Sequence, residues 1–126
     1  EWTTLEIYIC SELGGHSNCD EEFTYDAWSD NECTGNDEGE KMKAIDSTWQ
    51  GSLQSTNESG FSALPGGLRA DDYSMGIGYT ANFFTSTEWG AHNDAVWHRT
   101  LKWSQSMICR DYVQKMYALS VRCIKD

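Results

Sequence analysis

Hydrophobic positions along the chain change their period between the two ends. Over residues 1–13, Trp2, Leu5, Ile9 and Leu13 recur in steps of three and four, the spacing that lines one face of an α-helix. Cys10 lies beside that stripe, and Gly14-Gly15 supplies a stop. Over residues 96–103 the period falls to two. Trp97, Arg99, Leu101 and Trp103 share one face of a strand, and Val96, His98, Thr100 and Lys102 share the other. Apolar runs at 108–112 and 119–124 read as further strands that close a hairpin-like unit. The remainder, with most of the eleven glycines and many Ser, Thr, Asn and Asp residues, reads as turns and loops. The pattern predicts an α+β domain: one main N-terminal helix, a small twisted antiparallel sheet and long irregular connections.

At 126 residues the chain is long enough for one domain with a single core, spanning 1–126. Its net charge of −11 is uneven: residues 20–40 hold nine acids and no Lys or Arg, whereas residues 95–126 hold six basic residues. A nucleic-acid partner needs a basic surface, so none is expected. No apolar run approaches the ~18 residues of a membrane helix, and no membrane insertion is expected. A start at Glu1 rather than Met reads as a processed or trimmed product. Five cysteines in so short a chain point to an oxidising compartment, extracellular or at the cell surface, and one of them must be left over. Cys19 and Cys33 bracket the acidic run of residues 18–39, at a distance suited to a local disulfide loop.

Candidate chemistry is sparse. No Cys-x2-Cys pair offers a zinc site, and His16, His92 and His98 are scattered. No Gly-x-Ser-x-Gly elbow is present, and the Gly-rich stretch 76–80 lacks the lysine of a phosphate loop. Calcium is the one ion the acidic run brings to mind, through Asp20, Glu21, Glu22, Asp26, Asp30, Glu32 and Asp37, but their spacing does not match a twelve-residue calcium loop. No cofactor is expected, and an enzyme is not.

The most distinctive stretch is Gly60-Phe61-Ser62-Ala63-Leu64-Pro65-Gly66-Gly67-Leu68-Arg69, which holds the only proline. Pro65 fixes its own φ and biases Leu64 toward an extended backbone, while the two following glycines permit a sharp turn. The string resembles the Gly-Phe-Ser-Ala-Leu-Pro-Gly-Gly-x-Arg motif of the Fibrobacter succinogenes major paralogous domain. Ser120-Val121-Arg122-Cys123-Ile124-Lys125-Asp126 resembles that family's ending. Phe83-Phe84-Thr85-Ser86-Thr87-Glu88 is similar to its Trp-Trp-Ser-Ser-Thr-Glu, and Gly39-Glu40-Lys41-Met42-Lys43 to its Gly-x-x-Leu-Lys element. Trp97, Arg99 and Leu101 match fixed family positions, so theirs is taken as the inner face. The likeness covers residues 1–15 and 39–126, and leaves 18–39 as an acidic insertion.

The resemblance implies a C-type-lectin-like fold. In that fold a cysteine one turn before Leu13-Gly14-Gly15 pairs with one in the last strand, which implies a Cys10–Cys123 disulfide beside Cys19–Cys33 and leaves Cys109 free. It also implies that the family's first β-strand is missing here, leaving a sheet edge open to self-association. Related variable proteins of diversity-generating retroelements imply a framework of Trp97, Arg99, Leu101, Arg110, Ser120, Val121 and Cys123. A ligand-binding patch then falls on His98, Thr100, Lys102, Asp111, Tyr112, Gln114 and Tyr117, bordered by Trp89, His92, Asn93, Asp94 and Trp103. His92-Asn93-Asp94 resembles half of the lectin calcium and sugar motif, whose proline-containing partner is absent. The function implied is non-catalytic binding of a protein or glycan. The alternatives are a structural subunit of a surface assembly and, less favoured, an oxidoreductase similar to the formylglycine-generating enzymes.

Overall fold

A computed structural model describes residues 1–23, 32–51, 55–90 and 94–123. Helix α1 (Trp2–Tyr8) runs on into a π-helical turn, Ile9–Leu13, so the predicted helix forms over its whole length with a wider last turn. Two short helices follow, α2 (Cys19–Glu22) and α3 (Glu38–Met42), separated by the two-residue strand β1 (Cys33–Thr34). The strands β4 (Thr80–Glu88), β5 (Ala95–Lys102) and β6 (Ile108–Gln114) form the main sheet with β1, in the order β1-β6-β5-β4. The ladders are antiparallel throughout. A separate hairpin pairs β2 (Leu68–Ala70) with β3 (Tyr73–Met75). The chain is thus a mixed α+β domain, and no described helix is long and apolar enough to cross a membrane.

Helix and sheet meet as the two periods require. Ile9 and Cys10 pack with Phe83, Leu101, Ile108, Met42 and Phe23, and Trp2, Leu5 and Leu13 close over the cluster. Trp97, Arg99 and Leu101 are all buried, as expected for the inner face. Arg99 is charged, and α1 supplies its counter-charge. Arg99 Nε donates to Glu6 Oε1 at 2.5 Å and Nη2 to Glu6 Oε2 at 3.3 Å, with Glu6 fully buried. Glu6 sits three and four residues before Ile9 and Cys10, on the apolar face itself, and so meets the centre of the sheet.

The 60–69 motif is a crosspiece. Ala63 bonds Met42 through its N–H and Ala44 through its carbonyl, and Trp49 Nε1 donates to the same carbonyl at 3.2 Å. Phe61 packs edge-on to Phe83 and against Trp2. Leu64 and Gly66 close a three-residue turn around Pro65, whose locked φ suits that centre. At Gly67 (φ +65) a Cβ would lie 2.2 Å from the Met75 carbonyl, so only glycine fits there.

Three expectations are corrected. The disulfides are Cys10–Cys19 and Cys33–Cys109, and Cys123 is an exposed free thiol. The pairing follows from local reach. Leaving the π turn, the chain comes back within nine residues to set Cys19 against Cys10, and the β1–β6 register puts Cys33 opposite Cys109. In the acidic run, β1 joins the main sheet rather than closing a local loop. The last strand is reduced, among described residues, to bridges: Ala118 pairs with Arg69, and Ser120 lies parallel to Phe83 on the outer edge of β4. Ile124 lies outside the described residues.

Two measurements check this architecture. Non-reducing peptide mapping should recover Cys10–Cys19 and Cys33–Cys109, with Cys123 alone alkylated in native buffer; any link to Cys123 contradicts it. Removing one member of a buried ion pair leaves the other uncompensated. Glu6→Ala and Arg99→Ala should therefore each lower unfolding free energy by about 3–5 kcal/mol in urea titrations. Replacing both by Leu and Met should cost much less than the two single losses combined.

Candidate functional site

The expected patch is divided by the sheet. Val96, His98, Thr100 and Lys102 point away from α1, but the outer face is not open. The chain leaves β6 beside β5, bonds Arg69 of β2 at Ala118 and reaches the opposite edge of the sheet at Ser120, beside Asn82 and Phe83, so residues 115–119 cross from one side to the other. His98 and Thr100 are accordingly only 5% and 7% exposed, and neither is available as a surface contact. Thr100 Oγ1 donates to Asn82 Oδ1 at 2.8 Å, and Asn82 Nδ2 to Thr80 Oγ1 at 2.9 Å, making a polar ladder within the fold. Lys102 and Trp103 lie at the far end of β5, roughly 20 Å along the strand from Ala95. There Trp103 rests edge-on against Tyr79. Asp111 stands opposite His98, whereas Tyr112, one residue on, stands opposite Trp97 and belongs to the other face. His92 and Asn93 lie outside the described residues.

The structure does bring together Trp89, Asp94, Tyr112, Gln114 and Tyr117. With Ala95 and Val113 they line a cleft of about 500 Å³ at the end of the sheet where β5 begins and β6 ends. Trp89 and Tyr112 stack face to face, centroids 3.9 Å apart and planes 2° from parallel. Tyr112 meets buried Trp97 edge-on at 6.5 Å, and the Arg110 guanidinium lies 3.7 Å over the Trp97 ring. The aromatic platform is therefore backed by a rigid aromatic and cationic layer. Its position is set by backbone: Trp89 N–H bonds the Ala95 carbonyl, and Lys115 N–H bonds the Asp94 carbonyl. Lys115 also pairs with Glu88 at 2.5 Å on the rim, a contact that holds the Glu88 carboxyl below its usual range.

One cleft residue, Ala95, is not marked as a binding position by the sequence; a small residue at a strand end carries no chemical signal. Glu6 was missed as well, although a carboxylate on an apolar helical face is a legible anomaly. A larger cleft of about 960 Å³ lies apart, between α1, the Phe84–Thr87 stretch of β4 and residues 121–123. Trp2 Nε1 reaches the Phe84 carbonyl there at 3.4 Å.

An α+β disulfide domain with an aromatic cleft at one sheet end is the class these features define. Among protein families, the one described as the Fibrobacter succinogenes major domain matches residues 1–125, and the chain belongs to it. No curated protein and no solved structure matches the chain.

His98 gives this region a pH signature. Burial pushes its pKa below the usual value, outweighing the opposing pull of Asp111. The unfolded chain then takes up a proton that the folded chain resists, so stability is full above about pH 6.5 and falls as pH drops from there. His98→Gln should flatten the decline of the thermal midpoint between about pH 6.5 and 5. A wild-type midpoint that rises on acidification through this window would contradict the assignment.

Proposed function

We propose that this domain is a non-catalytic binding module whose protein or glycan ligand seats on the Trp89–Tyr112 cleft. The observation that carries the reading is the stacked pair itself. Two large, stiff aromatic rings are held by backbone bonds at the mouth of a concave surface, with Asp94, Gln114 and Tyr117 beside them as polar groups. Such rings contribute contact area with few rotors to freeze, and a few aromatic anchors dominate most interfaces. Asp94 and Gln114 suit hydroxyl or amide recognition. A helix packed on a short antiparallel sheet, with long connections, is in keeping with a C-type-lectin-like fold. Two disulfides are in keeping with residence outside the cell or at its surface. Chemistry of the formylglycine-generating kind needs two nearby thiols, but Cys109 is bonded to Cys33 and Cys123 stands alone on the surface.

The larger cleft favours a second reading, a subunit of an extracellular assembly. Beyond Phe84 the outer edge of β4 makes no described ladder, and the apolar side chains of Trp2, Phe61 and Val121 flank it. An extended strand from a second copy could add there.

Binding should be read on a glycan array and a panel of immobilised surface proteins. Tyr112→Ala and Trp89→Ala should each weaken a wild-type hit by more than tenfold, with little change in the melting midpoint because both rings are at the surface. Unchanged binding in both variants would exclude the cleft. Concentration-dependent association of the wild type, abolished by substitutions along β4 and not by Tyr112→Ala, would favour the assembly reading instead.

A further inference from the structure

Among the described residues outside the aromatic cleft, one group of side chains has ligand chemistry and no assigned use. His16, Asp37 and Glu38 each bring one potential metal-binding atom to within 4.8 Å of the others. They come from separate parts of the chain, held together by covalent and packing constraints. His16 sits in the loop closed by the Cys10–Cys19 disulfide, with its backbone N–H on the Cys10 carbonyl. Asp37 and Glu38 open α3, just after β1, whose Cys33 is bonded to β6. Two glycines make the approach possible. A Cβ on Gly14 would fall 2.7 Å from the His16 ring, and one on Gly35 would fall 2.2 Å from Glu38 Oε2.

The independent sign of a ligand is Glu38. Its side chain is fully buried. Oε2 accepts the Asn36 N–H at 2.5 Å, but Oε1 is buried with no hydrogen-bond partner among the described residues. A buried carboxylate oxygen without a partner is costly and rare in folded proteins. Lys41, one turn further along α3, is bonded to Oδ1 of Asp37, which leaves Asp37 Oδ2 to a further cation. Glu22 adds a third carboxylate nearby, with Oε1 holding the Gly35 N–H. The pocket therefore has an excess of negative charge around one imidazole.

We propose that His16, Asp37 and Glu38 form a divalent transition-metal site of the zinc type. Imidazole nitrogen and carboxylate oxygen are both donors such ions accept, and three protein ligands leave a fourth, solvent-side position. Calcium is disfavoured, since it seeks six to eight oxygens and no nitrogen. The exposure of His16 puts the open position at the surface. A metal here would tie the first disulfide loop to α3 and neutralise the buried carboxylate.

The test is isothermal titration of the disulfide-intact Cys123→Ser chain with Zn²⁺ alone, after chelator treatment. Changing Cys123 removes the exposed thiol as a competing ligand. One equivalent should bind, and the thermal midpoint should rise with zinc and fall again with chelator. His16→Ala, which alters only an exposed side chain, should weaken binding by at least about tenfold. Glu38→Gln should abolish the zinc-dependent rise while leaving the metal-free midpoint equal to or above that of the parent, since it removes a buried unpaired charge. With Co²⁺ as probe, visible d–d absorption should develop in the parent and be lost in His16→Ala. The proposal is overturned by any of three results: no zinc uptake by the parent, undiminished uptake by His16→Ala, or a midpoint that responds to Ca²⁺ and not to Zn²⁺.

Discussion

The buried Glu6–Arg99 pair is the constraint on which the rest of this fold depends. Arg99 occupies the middle of the central strand, and Glu6 the middle of the helix that covers it. Neither charge can be left alone in the core, so α1 can lie on the sheet in one rotational setting only. That setting turns Ile9 and Cys10 toward Leu101, Phe83 and Ile108, and brings Trp2 to the β4 edge. It also decides where the helix stops covering the sheet. The inner face continues past Arg99 to buried Trp97 and on to Tyr112, where the core layer becomes surface.

Much of this arrangement is legible in the residues before any coordinates are known. The helix is marked by Trp2, Leu5, Ile9 and Leu13, and the orientation of β5 by the strict alternation of Trp97, Arg99 and Leu101, because burial on one side forces a period of two. The cysteine pairing is not legible in the same way. Cys33 meets Cys109 through a two-residue strand, too short to leave any periodic trace, and Cys10 meets Cys19 through a turn made by Gly15 and Asn18 in left-handed backbone. The binding patch is half legible for a related reason. Asp111 and Tyr112 are neighbours in sequence and so lie on opposite faces of β6. Thr100 and His98 have the polarity of an outer face but are covered by a crossing segment whose path no local pattern encodes.

The two candidate sites use the scaffold differently. The aromatic cleft is built at the end of long strands, where ladder bonds hold the backbone and side chains can differ without disturbing the core. The His16, Asp37 and Glu38 cluster instead depends on glycines that admit close approach and on cross-links that hold short segments in register. Substitution at Gly35 or Gly14 would disturb the cluster through van der Waals overlap before it altered any charge.

The Cys33–Cys109 bond has a mechanical consequence. A pull applied to the two ends of this chain cannot be transmitted through residues 34–108, because the cross-link carries the load past them, and the Cys10–Cys19 bond likewise bypasses its own short loop. Fully stretched, the oxidised chain would reach on the order of 150 Å, against roughly 440 Å with both bonds reduced. The central strands β4 and β5, the crosspiece at Pro65 and most of β6's partner ladder all lie inside the bypassed length. Tension would peel α1 and the tail from the sheet yet leave a covalently enclosed remnant, so redox state sets how far this domain can yield under load.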